Sequence, residues 1–155
     1  MPAHQPARPR AVLDTNVLLR VFLSPQGTTA QLLSPARRKQ YQLVTSQPLL
    51  AELATTMTYP QVQRLAPWSQ ADITAIIRAL RRYAYVCKGL YDVDLVPTDL
   101  DDNKVVAAAL EGRADYIVTD DRRDLLPLKA IRLSGHKLIQ IVRPTAFLRD
   151  VLSGG

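Results

Sequence analysis

Short apolar segments that suit buried strands alternate along this sequence with segments of helical periodicity. Strands are predicted at residues 11–13, 41–45, 116–119 and 137–142, each preceded by a helical segment or a loop rather than by a hairpin turn. Parallel strands need crossover connections of this kind, and those crossovers are right-handed. The pattern therefore predicts an α/β fold, a three-layer α/β/α sandwich with a central parallel sheet.

Start signals and apolar spacing place the helices. A short helix is predicted over residues 28–38 and another over residues 145–152. Ser46 is predicted to cap the helix that follows the second strand. Ser69 and Asp72 have the spacing of a capping box and predict the start of a further helix.

The chain length fits one domain, because 155 residues lie within the range of about 100–200 residues that single domains occupy. Residues 1–9 are rich in proline and are predicted to form a disordered tail, and residues 10–153 are predicted to form the folded domain. No stretch approaches the roughly 18 uninterrupted apolar residues of a membrane span. We therefore expect neither a membrane segment nor a secretory signal.

Cysteine and histidine are scarce. The single cysteine, Cys87, cannot form a disulfide within the chain and favours a reducing, cytoplasmic environment. The only histidines are His4, in the predicted tail, and His136, so a zinc site of the Cys/His kind is excluded. Any metal must be held mainly by oxygen.

The chain is basic, with a formal charge of +6 from 20 Lys and Arg against 14 Asp and Glu. Such a balance favours a polyanionic partner such as nucleic acid. A solvated basic surface without a specific partner is the alternative.

Two acids follow predicted strands. Asp14 comes directly after the first strand, and Asp121 comes just after the strand at residues 116–119. Ligands of an open parallel sheet bind beyond the carboxyl ends of its strands, so both acids are expected at the binding edge. An acid at the end of a buried strand is costly unless it is paired or coordinated.

Two further acids lie on predicted helices. Asp102 precedes Val105 and Val106 by three and four residues, so it shares their inward face. The alternative for Asp102 is a first-turn acid that favours the helix dipole, a role that Asp99 or Asp101 can also fill. Glu52 lies at the border of an apolar stripe, where an acid is ordinarily exposed to solvent.

Four converging carboxylates repel one another unless a cation binds or some remain protonated. Mg²⁺ and Mn²⁺ suit carboxylate and water oxygens and leave positions for a phosphate. Such an ion can activate water for attack on a phosphodiester, and a second ion can stabilise the leaving oxygen. The sequence leaves one or two ions open.

The four acidic segments resemble those of PIN-domain nucleases in their order and spacing. They read DTN from Asp14, LLAEL around Glu52, DLDDNKVVAAAL around Asp102 and ADYIVTDDRRDLL around Asp121. The resemblance runs from about residue 10 to residue 152 and is greatest to the bacterial VapC-like group, the toxins of toxin–antitoxin pairs. It implies strand order 3-2-1-4-5, dependence on Mg²⁺ or Mn²⁺, endonucleolytic RNA cleavage by metal-activated water, a homodimer or higher oligomer, and an antitoxin that covers the site.

The resemblance also assigns residues. Asp14, Glu52 and Asp102 would be the core acids, which we expect to hold the catalytic metal directly or through water. Asp121 would be the fourth acid, which holds a second ion or orients the attacking water. The flanking polar residues, and the alternatives for the fourth acid in a run that departs from the family pattern, are Asn16, Thr119, Asp120 and Asp124.

Basic and aromatic side chains supply candidates for contacts with RNA. The expected phosphate contacts, each of which has a solvated surface position as its alternative, are Arg78, Arg81, Arg82, Arg122 and Arg123. Tyr59, Trp68 and Tyr91 could stack on bases or pack in the core.

Other functions fit parts of the pattern. A phosphatase of the haloacid dehalogenase type also has an aspartate after its first strand, but it needs a second aspartate where Asn16 stands. A DNA or structure-specific nuclease of the same fold is a second alternative. A nucleic-acid-binding regulator that has lost turnover is a third, although all four acids are present.

Overall fold

A computed structural model of the chain describes residues 8–93 and 100–152. The predicted tail lies outside these residues except at its last two positions, and so does residue 153 at the end of the predicted domain. Asp99 and the side chain of Asp101, the alternative first-turn acids, also lie outside the described part.

One sheet forms the middle layer of the described chain. Its strands are β1 (Arg10–Leu13), β2 (Gln42–Ser46), β3 (Tyr85–Cys87), β4 (Tyr116–Val118), β5 (Ala130–Ile131) and β6 (Ile139–Val142). Their order across the sheet is β3-β2-β1-β4-β6-β5. All neighbours pair in parallel except β5 and β6, which are antiparallel.

The predicted order 3-2-1-4-5 is confirmed with one addition. The fifth position in the sheet is taken by the predicted strand at residues 137–142, which is shorter in the structure and sixth in chain order. The expectation that no hairpin precedes it is wrong, because β5 pairs with it through a turn over residues 132–138. Gly135 in this turn has a φ of 80°, a left-handed conformation that glycine adopts without strain.

Helices connect the strands. They are α1 (Thr15–Leu23), α2 (Leu33–Arg37), α3 (Gln47–Thr56), α4 (Pro60–Gln63), α5 (Gln70–Tyr83), α6 (Leu100–Glu111) and α7 (Pro144–Ala146). Tighter turns precede α2 at Thr29–Leu32 and β5 at Leu126–Leu128, and a wider π-type turn at Phe147–Leu152 follows α7. Within the described residues, no helix is both long enough and apolar enough to cross a membrane.

The sheet separates two hydrophobic layers because successive strand side chains point to opposite faces. On one face, Leu13 and Leu43 pack with α1, α3, α5 and the buried Phe147. On the other face, Val12 and Val44 pack with α6. The predicted three-layer sandwich is thus confirmed, and α6, which carries Asp102, packs on the second face against β1 and β2.

Candidate active site

Asp14 is built into the junction between β1 and α1. Its side chain is only 5% exposed, and it caps α1 by accepting hydrogen bonds from the amides of Asn16 (2.7 Å) and Val17 (3.2 Å) on Oδ1. The hydroxyl of Thr119 donates to the second oxygen, Oδ2. Aspartate is a preferred N-cap because its carboxylate accepts from the first free amides of a helix.

Thr119 links the ends of β1 and β4. These neighbouring strands run in parallel, and the Asp14 amide donates to the Val118 carbonyl across them at 3.1 Å. The buried Thr119 hydroxyl, which donates to Asp14, also accepts from the Asp121 amide at 3.0 Å. Asp14 and Asp121 are therefore held at one carboxyl edge of the sheet, where the sequence predicts them.

Burial governs the protonation of Asp14. It raises the pKa of the carboxyl above its usual range, although the hydrogen bonds from Thr119 and from the amides of Val17 and Asn16 oppose that rise. The negative charge of Asp121 adds a smaller increase. Burial and a second acid nearby both disfavour an isolated negative charge, which indicates that this position is suited to a carboxylate balanced by a cation.

Three carboxylates form a compact cluster beside Asp14. Oxygens of Asp102, Asp121 and Asp124 all lie within 4.8 Å of one another. Asp121 Oδ1 accepts from the amides of Arg123 (2.9 Å) and Asp124 (3.1 Å), which closes a turn after β4 and returns Asp124 toward Asp121. The sequence left open which acid of this run is the fourth, and the structure brings two of them, Asp121 and Asp124, into one cluster.

Asp102 reaches the cluster from α6, which packs on the face of the sheet opposite to α1, α3 and α5. Its side chain on α6 is 7% exposed and belongs to the buried face of that helix. Burial raises the pKa of Asp121, but a hydrogen bond with Asp102 and the amides of Asp124 and Arg123 outweigh burial and leave that pKa below its usual range. A hydrogen bond between two carboxyl groups requires a proton on one of them, so the cluster must hold either a proton or a cation.

Glu52 approaches from the other side of the sheet, on α3. Its Oε2 lies 3.5 Å from Nζ of Lys104, which is on α6 two residues after Asp102. The glutamate is partly buried and lines the same cavity as the aspartates. It lies outside the compact group of three carboxylates, and Lys104 balances part of its charge.

All of these acids line one open cleft of about 1000 Å³ at the carboxyl edge of the sheet. The acidic side chains in its lining are Asp14, Glu52, Asp102, Asp120, Asp121 and Asp124. An apolar wall from α1 and the α3–α4 region faces it, with side chains of Leu19, Leu23, Tyr59, Val62 and Leu65. The cleft therefore combines carboxylates with an apolar wall that can contact the apolar part of a substrate.

The other predicted residues divide into two groups. Those that line the cleft are Asn16, Tyr59, Asp120 and Arg123, and the Asp120 carboxylate is paired with Arg20. Those that lie elsewhere are Arg78, Arg81 and Arg82 on α5, Arg122 on the surface, Trp68 against the core, and Tyr91, whose ring contacts His136 away from the cleft. Thr119 is buried behind the lining of the cleft, and its hydroxyl donates a hydrogen bond to Asp14.

Sequence reasoning missed three residues of this region. Thr15 lines the cleft, and within the described part of the chain its buried hydroxyl has no hydrogen-bond partner. Arg20 lines the cleft one helical turn beyond Asn16, and Lys104 reaches Glu52. Helical spacing from Asn16 could have indicated Arg20, but the Lys104 contact depends on how α3 and α6 pack.

Comparison with known proteins identifies the family. The sequence matches the PIN domain over residues 10–123, which includes the whole run from β1 to the turn after β4. The chain belongs to the PIN domain family. The resemblance carried by the four acidic segments is thereby confirmed.

A solved structure supports the PIN fold independently. A crystal structure of VapBC2 from Rickettsia felis, bound to a DNA fragment from their promoter, is similar to this chain with a TM-score of 0.54. The two chains are 12% identical, and the match covers 85% of this chain and 98% of that chain. At this identity the likeness establishes a shared fold. No curated protein matches the sequence.

The donor set of this PIN domain fits a hard divalent cation. The three clustered side chains offer only carboxylate oxygens, the ligands that Mg²⁺ and Mn²⁺ prefer. The buried Thr15 hydroxyl adds a polar oxygen to the lining of the same cleft. Asp102, Asp121 and Asp124 are therefore the residues best placed to hold such an ion.

Proposed function

We propose that this PIN domain is a Mg²⁺- or Mn²⁺-dependent endoribonuclease and the toxin of a toxin–antitoxin pair. The observation that carries the proposal is the gathering of six acids in one cleft, three of them with oxygens within 4.8 Å of one another. They come from the junction of β1 and α1, from α3, from α6 and from the turn after β4, so their convergence depends on the fold rather than on local sequence.

The acids of the cleft have different proposed roles. Asp102, Asp121 and Asp124 hold the ion, which when bound would activate water and stabilise charge on the phosphate. Asp14 is kept rigid by the α1 amides and Thr119, and it adds negative charge beside the cluster. Glu52, balanced by Lys104, closes the acidic surface on the α3 side. A protein nucleophile is not required, because hydrolysis needs only water, an ion and a positioned phosphate.

RNA is the proposed substrate and a protein antitoxin the proposed partner. The basic balance of the chain suits a polyanion, and the similar solved structure is that of VapBC2 bound to a DNA fragment from their promoter. We further propose that the protein works in the cytoplasm and forms a homodimer or higher oligomer. Light scattering on the protein as it elutes from a size-exclusion column can test the oligomeric state.

The decisive experiment compares substrates and cations. Purified protein should cut fluorescent RNA with Mg²⁺ or Mn²⁺, cut DNA of the same sequence more slowly, and stop in EDTA. Asp121→Asn should remove the cleavage, whereas Asp92→Asn, which changes an exposed acid outside the cleft, should retain it. Unchanged cleavage in chelator would exclude the metal mechanism, and preferential cleavage of DNA would replace the substrate.

A further inference from the structure

An ion pair joins two residues that line the acidic cleft. Nη1 of Arg20, on α1, lies 2.5 Å from Oδ2 of Asp120, in the turn after β4. Both side chains are partly exposed, at 51% and 37%, and both line the cleft that contains the carboxylate cluster. Asp120 and Asp121 are adjacent in sequence, yet one pairs with Arg20 and the other with Asp102 and Asp124.

The pairing leaves most of the guanidinium available. Arginine carries five N–H donors in a planar fork, and within the described chain Arg20 uses only Nη1, toward Asp120. Arg20 lines the open cleft and its side chain is 51% exposed, so the remaining donors can bind a second group. A planar fork of this kind matches the oxygens of a phosphate in a bidentate contact.

The other cations near the cleft are already engaged with acids of the site. The charge of Arg123 acts on Asp121 and helps to lower its pKa. Lys104 is paired with Glu52. Arg20 differs from both because its partner, Asp120, lies outside the carboxylate cluster, so a phosphate can approach Arg20 without displacing a cluster contact.

We propose that Arg20 binds a backbone phosphate of the RNA in the cleft and that Asp120 is the positioning residue that holds the Arg20 guanidinium in place. This inference rests on the proposed function. A polyanion that enters a cleft lined by six acids is repelled, and a fixed cation in the lining offsets part of that repulsion. Holding the long side chain in place before RNA arrives lowers the entropy lost on binding.

The direction in which Kd changes when Asp120 is substituted tests the proposal. If Asp120 is only a negative charge near the RNA, Asp120→Ala removes repulsion and binding becomes tighter. If Asp120 positions Arg20, the same substitution frees the guanidinium and binding becomes weaker, although the cleft has lost a negative charge. The two roles predict opposite shifts in Kd.

The experiment measures Kd by fluorescence anisotropy in Asp14→Asn protein, which should bind RNA without cutting it. Arg20→Ala should raise Kd about tenfold or more, as expected for loss of a charge-assisted contact, and Arg20→Lys should lie between. Asp120→Ala should raise Kd about threefold, and the double substitution should bind no worse than Arg20→Ala alone. Arg132→Ala is the matched control, since Arg132 is exposed beyond β5 at the opposite edge of the sheet, and should change Kd by less than about twofold.

Cleavage by otherwise wild-type protein separates the two proposals. With saturating RNA, Arg20→Ala should keep its turnover within about threefold, because a contact made equally in ground and transition states affects binding rather than kcat. If the protein cuts RNA but Arg20→Ala binds like Arg132→Ala, the phosphate site is wrong and the nuclease stands. If it cuts nothing but Arg20→Ala still weakens RNA binding, the nuclease is wrong and the phosphate site stands. A lower Kd for Asp120→Ala would overturn the positioning role.

Discussion

At the scale of single residues, Asp14 has two functions that the sequence could only partly separate. Its place after a buried strand predicted an acid at the binding edge, because such an acid must be paired or coordinated. The structure adds that the same side chain caps α1 through two amide hydrogen bonds. A capping acid and a site acid look identical in sequence, and here one residue is both.

Substitutions at Asp14 should separate these two functions. Asp14→Asn keeps one oxygen that can cap the helix, and its amide NH2 can donate to the Thr119 hydroxyl, which donates to the carboxylate in the wild type. Because the substitution also removes a charge that burial disfavours, unfolding in urea should show little loss of stability. Asp14→Ala removes the cap and should cost about 0.5–2 kcal/mol. Both variants should lose RNA cleavage. Wild-type turnover in Asp14→Asn would show that the carboxylate has no part in the reaction.

The fourth acid illustrates the limit of reading residues one at a time. Asp120, Asp121 and Asp124 lie within a short run, and sequence spacing gives no means of choosing among them. The turn closed on the Asp121 side chain decides the geometry, because it places Asp124 beside Asp121 and leaves Asp120 beside Arg20. Such a turn depends on hydrogen bonds that residue type alone does not specify.

Cation affinity should follow this geometry. In titration calorimetry with Mn²⁺, Asp124→Asn should weaken binding at least about tenfold, because it removes a proposed ligand, whereas Asp120→Asn should change it by less than about threefold. The two substitutions remove the same charge from the same turn, so each serves as the control for the other. The reverse order of affinities would assign the fourth acid to Asp120.

At the scale of elements, local signals predicted helix starts better than they predicted short strands. Ser46 caps α3 through the Leu49 amide, and Ser69 forms the expected capping box with Asp72. These features involve residues three apart, so a sequence displays them directly. The predicted short helix at residues 28–38 forms as a 3-10 helix, Thr29–Leu32, that continues directly into α2.

The strands β3 and β5 were not predicted. β3 is three residues long and follows α5 almost directly, and β5 is two residues long. A segment of this length shows no periodicity, and its pairing depends on a neighbouring strand, here β2 for β3 and β6 for β5. Parallel pairing at the centre of the sheet was predictable because β1, β2 and β4 lie in apolar, mostly buried runs; β4 is no longer than β3, but β3 begins on an exposed tyrosine.

At the scale of the whole molecule, the site depends on how closely α6 packs on the sheet. α6 brings Asp102 to the edge where β1 and β4 end. At the other end of α6, Gly112 packs closely against β2 and β3. A Cβ at Gly112 would collide with Cγ1 of Val44 and lie 3.1 Å from Sγ of Cys87. Helices often end on a left-handed glycine, but here Arg113 takes the positive φ of 53°, and Gly112 serves the close approach instead.

This packing yields a prediction about the whole fold. Gly112→Ala should destabilise the protein by about 1–3 kcal/mol in urea unfolding, because an added methyl group must push α6 away from a well-packed sheet. Val44→Ala removes the side chain that the methyl group meets, so the double variant should be more stable than the sum of the two single losses predicts, by about 1 kcal/mol or more. If the losses of stability were strictly additive, the added methyl group would not be in steric conflict with Val44. Because α6 also carries Asp102, Gly112→Ala should weaken Mn²⁺ binding as well, and Val44→Ala in the same chain should restore part of it.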